Sequence, residues 1–303
     1  MADTELPPLR YEYFEPRSVD LYESSVPLLG DTAIIIGNPL GSSIGNAEDG
    51  YGDTGRAAQA VSNRTGYPVI AFERPGSVPA EDAASTPSRS AIPPNISQRD
   101  IASFTGDSLA KALSGHGFDQ TILAGNSAGG SAVIGLARSM TLPASHVSVM
   151  DPVGLTNHSP AIGFSRWLRH AIHENRRPTV ERAIDDLPSQ ATGFQLSSFI
   201  YDTRTYHQSW LSGETGNDLL EIARTLGNVT IRIAWPRHTF SLQPEDMACL
   251  GERLTAIRDQ SKGAVRPLRI VRDPGGHSQY NNFRIFASNI AKVIREDFPG
   301  YDQ

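Results

Sequence analysis

Continuous runs of β-branched and apolar residues recur along this chain, separated by longer stretches with helical spacing. The runs are Thr32–Ile36, Pro68–Phe72, Thr121–Ala124, Val147–Met150, Val229–Trp235 and Leu268–Val271. Strands that alternate with helices in this way belong to an α/β sheet with crossover helices. Ser97, with Asp100 three residues on, has the form of a capping box, and the helix behind it is expected to reach about Gly115. Further helices are expected from Arg56, over Ala128–Met140, over Asp218–Leu226 with Gly227 as a stop, and over Gln279–Arg295. Leu9–Tyr22 has room for two strands at the sheet edge.

No strand pattern occurs between Met150 and Val229. The apolar positions there, Phe164, Trp167, Leu168, Ile172, Phe194, Phe199, Ile200 and Trp210, suggest several short helices. We read 156–216 as a helical lid inserted into a core made of 1–155 and 217–303. A separate small helical domain away from any site fits the same pattern.

Composition narrows the partners. The 303 residues carry a formal charge of -6 and a pI near 5.8. No basic run interrupts that balance, which argues against nucleic acid, bound through clustered Lys and Arg. No stretch approaches the roughly 18 apolar residues of a membrane-spanning helix. The N-terminal residues lack the positive start and apolar run of a secretory signal. Cys249 is the single cysteine, so no intramolecular disulfide exists, as suits a reducing compartment. A soluble, cytoplasmic protein acting on a small molecule is the expectation.

The chemistry concentrates in Gly125-Asn126-Ser127-Ala128-Gly129, directly after one expected strand and directly before a helix. A nucleophile on a strand-to-helix turn adopts a strained backbone, and small residues two positions either side relieve the crowding. The turn also aims helix N-terminal N–H groups at a developing oxyanion. A flexible Ser/Gly turn is the bland alternative. Ser127 needs a base, and His277 in Asp273-Pro-Gly-Gly-His lies just past the last expected strand, where a loop histidine is placed for chemistry rather than packing. His170, His173 and Glu174 have metal-like spacing but no third ligand pattern, and no metal or cofactor is expected. Gly50-Tyr51-Gly52-Asp53-Thr54-Gly55, with Glu73 further on, matches a dinucleotide fingerprint. That fingerprint requires its first glycine directly after a strand, whereas here more than ten residues follow Gly37. We read these glycines as a loop before the helix at Arg56.

The elbow and the histidine loop resemble those of the α/β-hydrolase family, whose chain order is nucleophile, acid, histidine. The resemblance implies an eight-stranded, mostly parallel sheet and an oxyanion hole made by two backbone amides. One follows the nucleophile, here Ala128; the other lies in Ile36-Gly37-Asn38-Pro39, at Asn38. The usual His before that Gly is Ile36. The Gly37-Asn38-Pro39 turn is also similar to that of haloalkane dehalogenases, but their nucleophile is Asp. The elbow resembles those of C–C bond hydrolases and is equally compatible with esterases and lactonases. In most of the family the acid follows the strand after the lid, but Trp235-Pro236-Arg237-His238-Thr239 holds none, and Glu245 and Asp246 look like first-turn residues of the next helix. Asp151, at the end of the strand after the nucleophile's helix, is the candidate. Haloalkane dehalogenases and zearalenone-type lactonases are similar in placing their acid there. Asp151 capping the turn before Pro152 is the structural alternative.

The expectation is therefore a serine hydrolase acting on an ester or lactone, with Ser127, His277 and Asp151 as triad, Asn38 and Ala128 as oxyanion donors, and no cofactor. Trp167 and Trp210 are the candidates for contacts to an apolar or aromatic substrate. A C–C bond hydrolase, a lyase or cyclase, or a ligand-binding protein with residual activity are the other uses of such a scaffold.

Overall fold

The computed structural model describes residues 9–17, 31–39, 44–46, 50–51, 53–74, 97–139, 144–159, 161–163, 165–166, 210–225, 229–239, 243–260, 269–276 and 283–297. In chain order the elements are β1 (Tyr11–Phe14), β2 (Thr32–Gly37), β3 (Gly45–Asn46), β4 (Gly50–Tyr51), α1 (Asp53–Thr65), β5 (Val69–Phe72), α2 (Gln98–Gly115), β6 (Gln120–Asn126), α3 (Ser127–Ser139) and β7 (Ala144–Met150). They continue as α4 (Glu214–Thr225), β8 (Thr230–His238), α5 (Pro244–Gln260), β9 (Arg269–Gly276) and α6 (Phe283–Asp297).

The main sheet has seven strands in the order β1-β5-β2-β6-β7-β8-β9. β1 pairs antiparallel with β5, and every other pairing is parallel. The expected count was eight. Leu9–Tyr22 contributes one described strand, β1, where two were allowed for, and 18–30 lie outside the described residues.

Parallel strands covered on both faces must be apolar on both, which explains why the runs are continuous rather than alternating. β2 is buried along its whole length. Ile35, Leu123, Val133, Leu219 and Leu250 share one core, on the side of α2, α3, α4 and α5. Ile34, Ile36, Ala58, Ile122 and Ile290 share the other, beneath α1 and α6. Ser97 caps α2 as its sequence suggests: its hydroxyl accepts from the Asp100 amide at 3.1 Å and donates to the Asp100 carboxylate at 2.7 Å.

Several element boundaries depart from expectation, among them the start of α4, at Glu214 rather than Asp218. The glycines of the fingerprint are partly strand: Gly50–Tyr51 pairs antiparallel with Gly45–Asn46, and α1 begins at Asp53 rather than Arg56. β8 and β9 run further than their apolar runs, with His238 in register with Gly276. β7 ends at Met150, opposite Ala234. Pro236 therefore lies where β8 has a single neighbour, and Pro274 lies on an edge strand, the places a sheet tolerates a residue without an N–H.

Where 156–216 is described, its two ends meet. Asn157 and Ser212 form an isolated antiparallel bridge, and the His158 amide donates to the Leu211 carbonyl at 2.8 Å. The chain thus leaves the core and returns to it at one point. Residues 167–209, including most of the apolar positions noted above, lie outside the described residues.

Candidate active site

The order of the sheet determines where a site can form. From β2 the chain moves outward to β5, then crosses back to β6 and proceeds the other way. The crevice of such a sheet opens at the C-terminal ends of the strands that flank this reversal. Residue 38 follows β2 and residue 127 follows β6, so Asn38 and Ser127 face each other across it.

Ser127 is the first residue of α3 and has φ 50°, the left-handed region that side chains other than glycine rarely adopt. It is buried, at 7% exposure. The glycines two positions either side make the turn possible. A Cβ on Gly125 would stand 2.6 Å from the Gly129 carbonyl carbon and oxygen. A Cβ on Gly129 would stand 2.2 Å from the Gly37 carbonyl oxygen and 2.8 Å from the carbonyl of Asn38. The elbow is therefore packed directly on the Gly37-Asn38 peptide. Ser131 fastens the first turn of α3 from the other side, its hydroxyl donating to the Val153 carbonyl at 2.6 Å.

Asp151 has the same unusual backbone, φ 45°, and its side chain is wholly buried. Asn126 and Met150 are paired across β6 and β7, so Ser127 and Asp151 leave adjacent strands at the same level. The Asp151 amide donates to the Ala234 carbonyl at 2.9 Å. Its carboxylate Oδ1 accepts from the Thr239 hydroxyl at 2.7 Å. Thr239, just past β8, thereby joins the candidate site, although its sequence context did not single it out. Its only signal was that it occupies the family's usual acid position without being an acid. β9 ends at Gly276 on the same edge of the sheet; His277 itself lies outside the described residues, as does Trp167.

Asn38 is fully buried. Its side-chain oxygen accepts from the Arg74 amide at 2.9 Å, which fixes the carboxamide's orientation, because an N–H can only donate. Its own amide donates to the Phe72 carbonyl at 3.3 Å, a long bond at the end of the β2–β5 ladder. An oxyanion would have to share this N–H with Phe72. Ala128 is buried in the first turn of α3, where helix N–H groups lack intrahelical acceptors.

A cleft of about 380 Å³, counting its open mouth, lies against this arrangement. Phe72, Ile101, Ala102, Ala128, Ala132 and Trp210 supply its apolar walls, so Trp210 and the residue next to Ser127 share one space.

Asp246, weighed as the alternative acid, is committed elsewhere. It lies in the first turn of α5 and accepts from the Gln243 amide at 2.9 Å, the backward reach of a capping box. The same oxygen pairs with Arg166 at 2.6 Å. Arg166 also donates to His158 Nε2 at 2.7 Å. Burial, and then the Arg166 cation, hold the His158 imidazole below its ordinary value, against the pull of Asp246. Among the described residues no group of three or more His, Cys, Asp or Glu is placed to hold a metal. His170, His173 and Glu174 lie outside the described residues, and no described helix is long and apolar enough to cross a membrane.

No protein-family model matches the chain, and no curated protein is similar to it by sequence. Solved structures do match. The monoacylglycerol lipase of Paleococcus ferrophilus aligns over 96% of this chain and 99% of its own at 15% identity, with a TM-score of 0.55. MGS-M2, an α/β-hydrolase from a Medee basin deep-sea metagenome library, aligns over 97% and 94% at 12% identity, also at 0.55. A thermophilic esterase from Thermogutta terrifontis aligns over 97% and 94% at 14% identity, at 0.50. The chain has the α/β-hydrolase fold.

Proposed function

We propose that this protein is a serine hydrolase that cleaves an ester or lactone through an acyl-enzyme. The observation that carries the reading is Ser127 at φ 50° on the β6–α3 turn, wedged between two glycines that a side chain would force apart. A backbone strained at one residue and over-determined by its surroundings is characteristic of functional sites. The lipase and esterase noted above share the fold.

In this reading the Ser127 hydroxyl attacks the substrate carbonyl while His277 removes its proton. Asp151 holds the imidazole tautomer from its other nitrogen. The negative charge on the former carbonyl oxygen is met by the Ala128 amide and by that of Asn38, shared with Phe72. Collapse expels the alcohol, which takes the proton from His277. Water, deprotonated by the same imidazole, then attacks the acyl carbon and releases the acid and Ser127. Residues 156–216 act as the lid, and the cleft beside Trp210 receives an apolar or aromatic part of the substrate.

The test is turnover of p-nitrophenyl acetate and butyrate. Release of p-nitrophenolate should fall by about 10⁴ in Ser127→Ala and comparably in His277→Gln, with folding retained. Binding of these esters without turnover by wild-type protein would contradict hydrolysis and leave a ligand-binding protein on this scaffold.

A further inference from the structure

Three side chains cluster where the chain leaves the core at 157–158 and returns at 211–212. His158 Nε2 lies 2.7 Å from the Arg166 guanidinium, 2.7 Å from the Thr156 hydroxyl and 3.6 Å from the Asp246 carboxylate. The same carboxylate oxygen accepts from Arg166 at 2.6 Å and from the Gln243 amide at 2.9 Å. His158, Arg166 and Asp246 are all largely buried, so salt and water screen them weakly.

These contacts dictate where the ring proton sits. A guanidinium only donates, so Nε2 must accept, and the proton of the neutral ring is on Nδ1. Protonation of Nε2 removes that lone pair and sets a second cation against Arg166. The new N–H can turn to Thr156 or Asp246, but Arg166 cannot stay where it is. Among the described residues, Arg166 from the same segment and Asp246 from α5 are the charged groups that face the imidazole.

Burial, and then Arg166, hold the imidazole below its ordinary value, so the folded chain favours the neutral ring. The stability this contributes is full above the ordinary histidine value, about 6.5. It is lost as pH falls through the lower folded value. The strain falls on the crossing itself. The His158 amide donates to the Leu211 carbonyl at 2.8 Å, and Trp210, next to Leu211, walls the cleft.

We propose that His158, Arg166 and Asp246 form a pH-sensitive clasp at the root of the 156–216 segment, closed while the imidazole is neutral and loosened by its protonation. The clasp depends neither on Ser127 nor on the bond that is cleaved.

Hydrogen–deuterium exchange of the full chain tests it, read by mass spectrometry on peptides covering 156–166 and 210–213 and corrected for intrinsic rates. Measurements at about pH 7.5 and pH 5 bracket the titration of a histidine held low. Losing one net hydrogen bond corresponds to about a fivefold rise in local opening, so wild-type protection of both segments should fall by at least about that factor at the lower pH. Peptides from α3 should not follow. His158→Gln offers Arg166 an acceptor that does not titrate, and should keep its protection at the lower pH. Arg166→Gln can donate to the neutral ring and accept from the protonated one, so it should also flatten the dependence. It guards against misfolding of the histidine variant. Wild-type protection that does not change, a fall shared equally by α3, or a fall that persists in both glutamine variants overturns the clasp.

Discussion

The Thr239 hydroxyl donates to Asp151 Oδ1 at 2.7 Å across 88 positions of sequence. It joins the end of β8 to the end of β7 at a carboxylate that leaves its strand level with Ser127. A neutral hydroxyl bound to one carboxylate oxygen limits the rotation of the carboxylate. In the proposed mechanism Thr239 would position the acid.

Asp151→Asn should therefore lower kcat by about 10³–10⁴, since the tautomer is no longer held. Thr239→Val should lower kcat by about tenfold with KM little changed, and Thr239→Ser should restore it. Thr239→Val with wild-type kcat would remove the positioning role.

Backbone strain at Ser127 predicts an inverted stability order. In an ordinary helix position glycine is less stable than alanine by about 0.5–1 kcal/mol. At φ 50° an alanine bears the left-handed penalty and a glycine does not. Ser127→Gly should be at least as stable as Ser127→Ala, by up to about 1 kcal/mol in urea unfolding. A clearly more stable Ser127→Ala would show that the turn is not strained.

Asp246 and Asp151 should separate in their effects. Asp246 joins α5 to Arg166, with both side chains largely buried. Asp246→Asn should lower stability by about 1–3 kcal/mol while leaving kcat near wild type. If Asp246→Asn abolishes kcat and Asp151→Asn does not, the acid has been misplaced.

The fold was legible where physics is local. β2 and β6 declared themselves because parallel strands buried on both faces need unbroken apolar runs, and Ser97-to-Asp100 because capping acts within one turn. The elbow was legible for the same reason: Gly125, Ser127 and Gly129 are neighbours in sequence. The contacts that complete the site are not local. Thr239 reads as a polar residue after a strand until the sheet order sets it beside Asp151. The Arg74 amide meets the Asn38 side chain, 36 positions away, only once β5 is set beside β2. The Asn38 amide's bond to Phe72 depends on β5 being its neighbour, which no spacing within either strand announces.

Asp218 on α4 is buried, and its carboxyl is pushed up to about 6, chiefly by burial, against the attraction of Arg138 and Arg99. A carboxyl raised above its unfolded value binds its proton more tightly in the folded chain. Its contribution to stability is full below the unfolded value and is lost as pH rises through the folded one. Stability attributable to this group should therefore decline between about pH 4 and 6. Urea unfolding across that range should show the decline in wild type and a flatter profile in Asp218→Asn. Parallel profiles would remove Asp218 as the cause.

The central claim is that Ser127 is an activated nucleophile, and covalent labelling tests it most directly. Wild-type protein treated with a fluorophosphonate should gain the mass of one adduct, and peptide mapping should place it on Ser127. The Asp151→Asn variant should label more slowly, and Ser127→Ala not at all. Folded wild-type protein that stays unmodified, or that carries the adduct on another serine, would contradict the account.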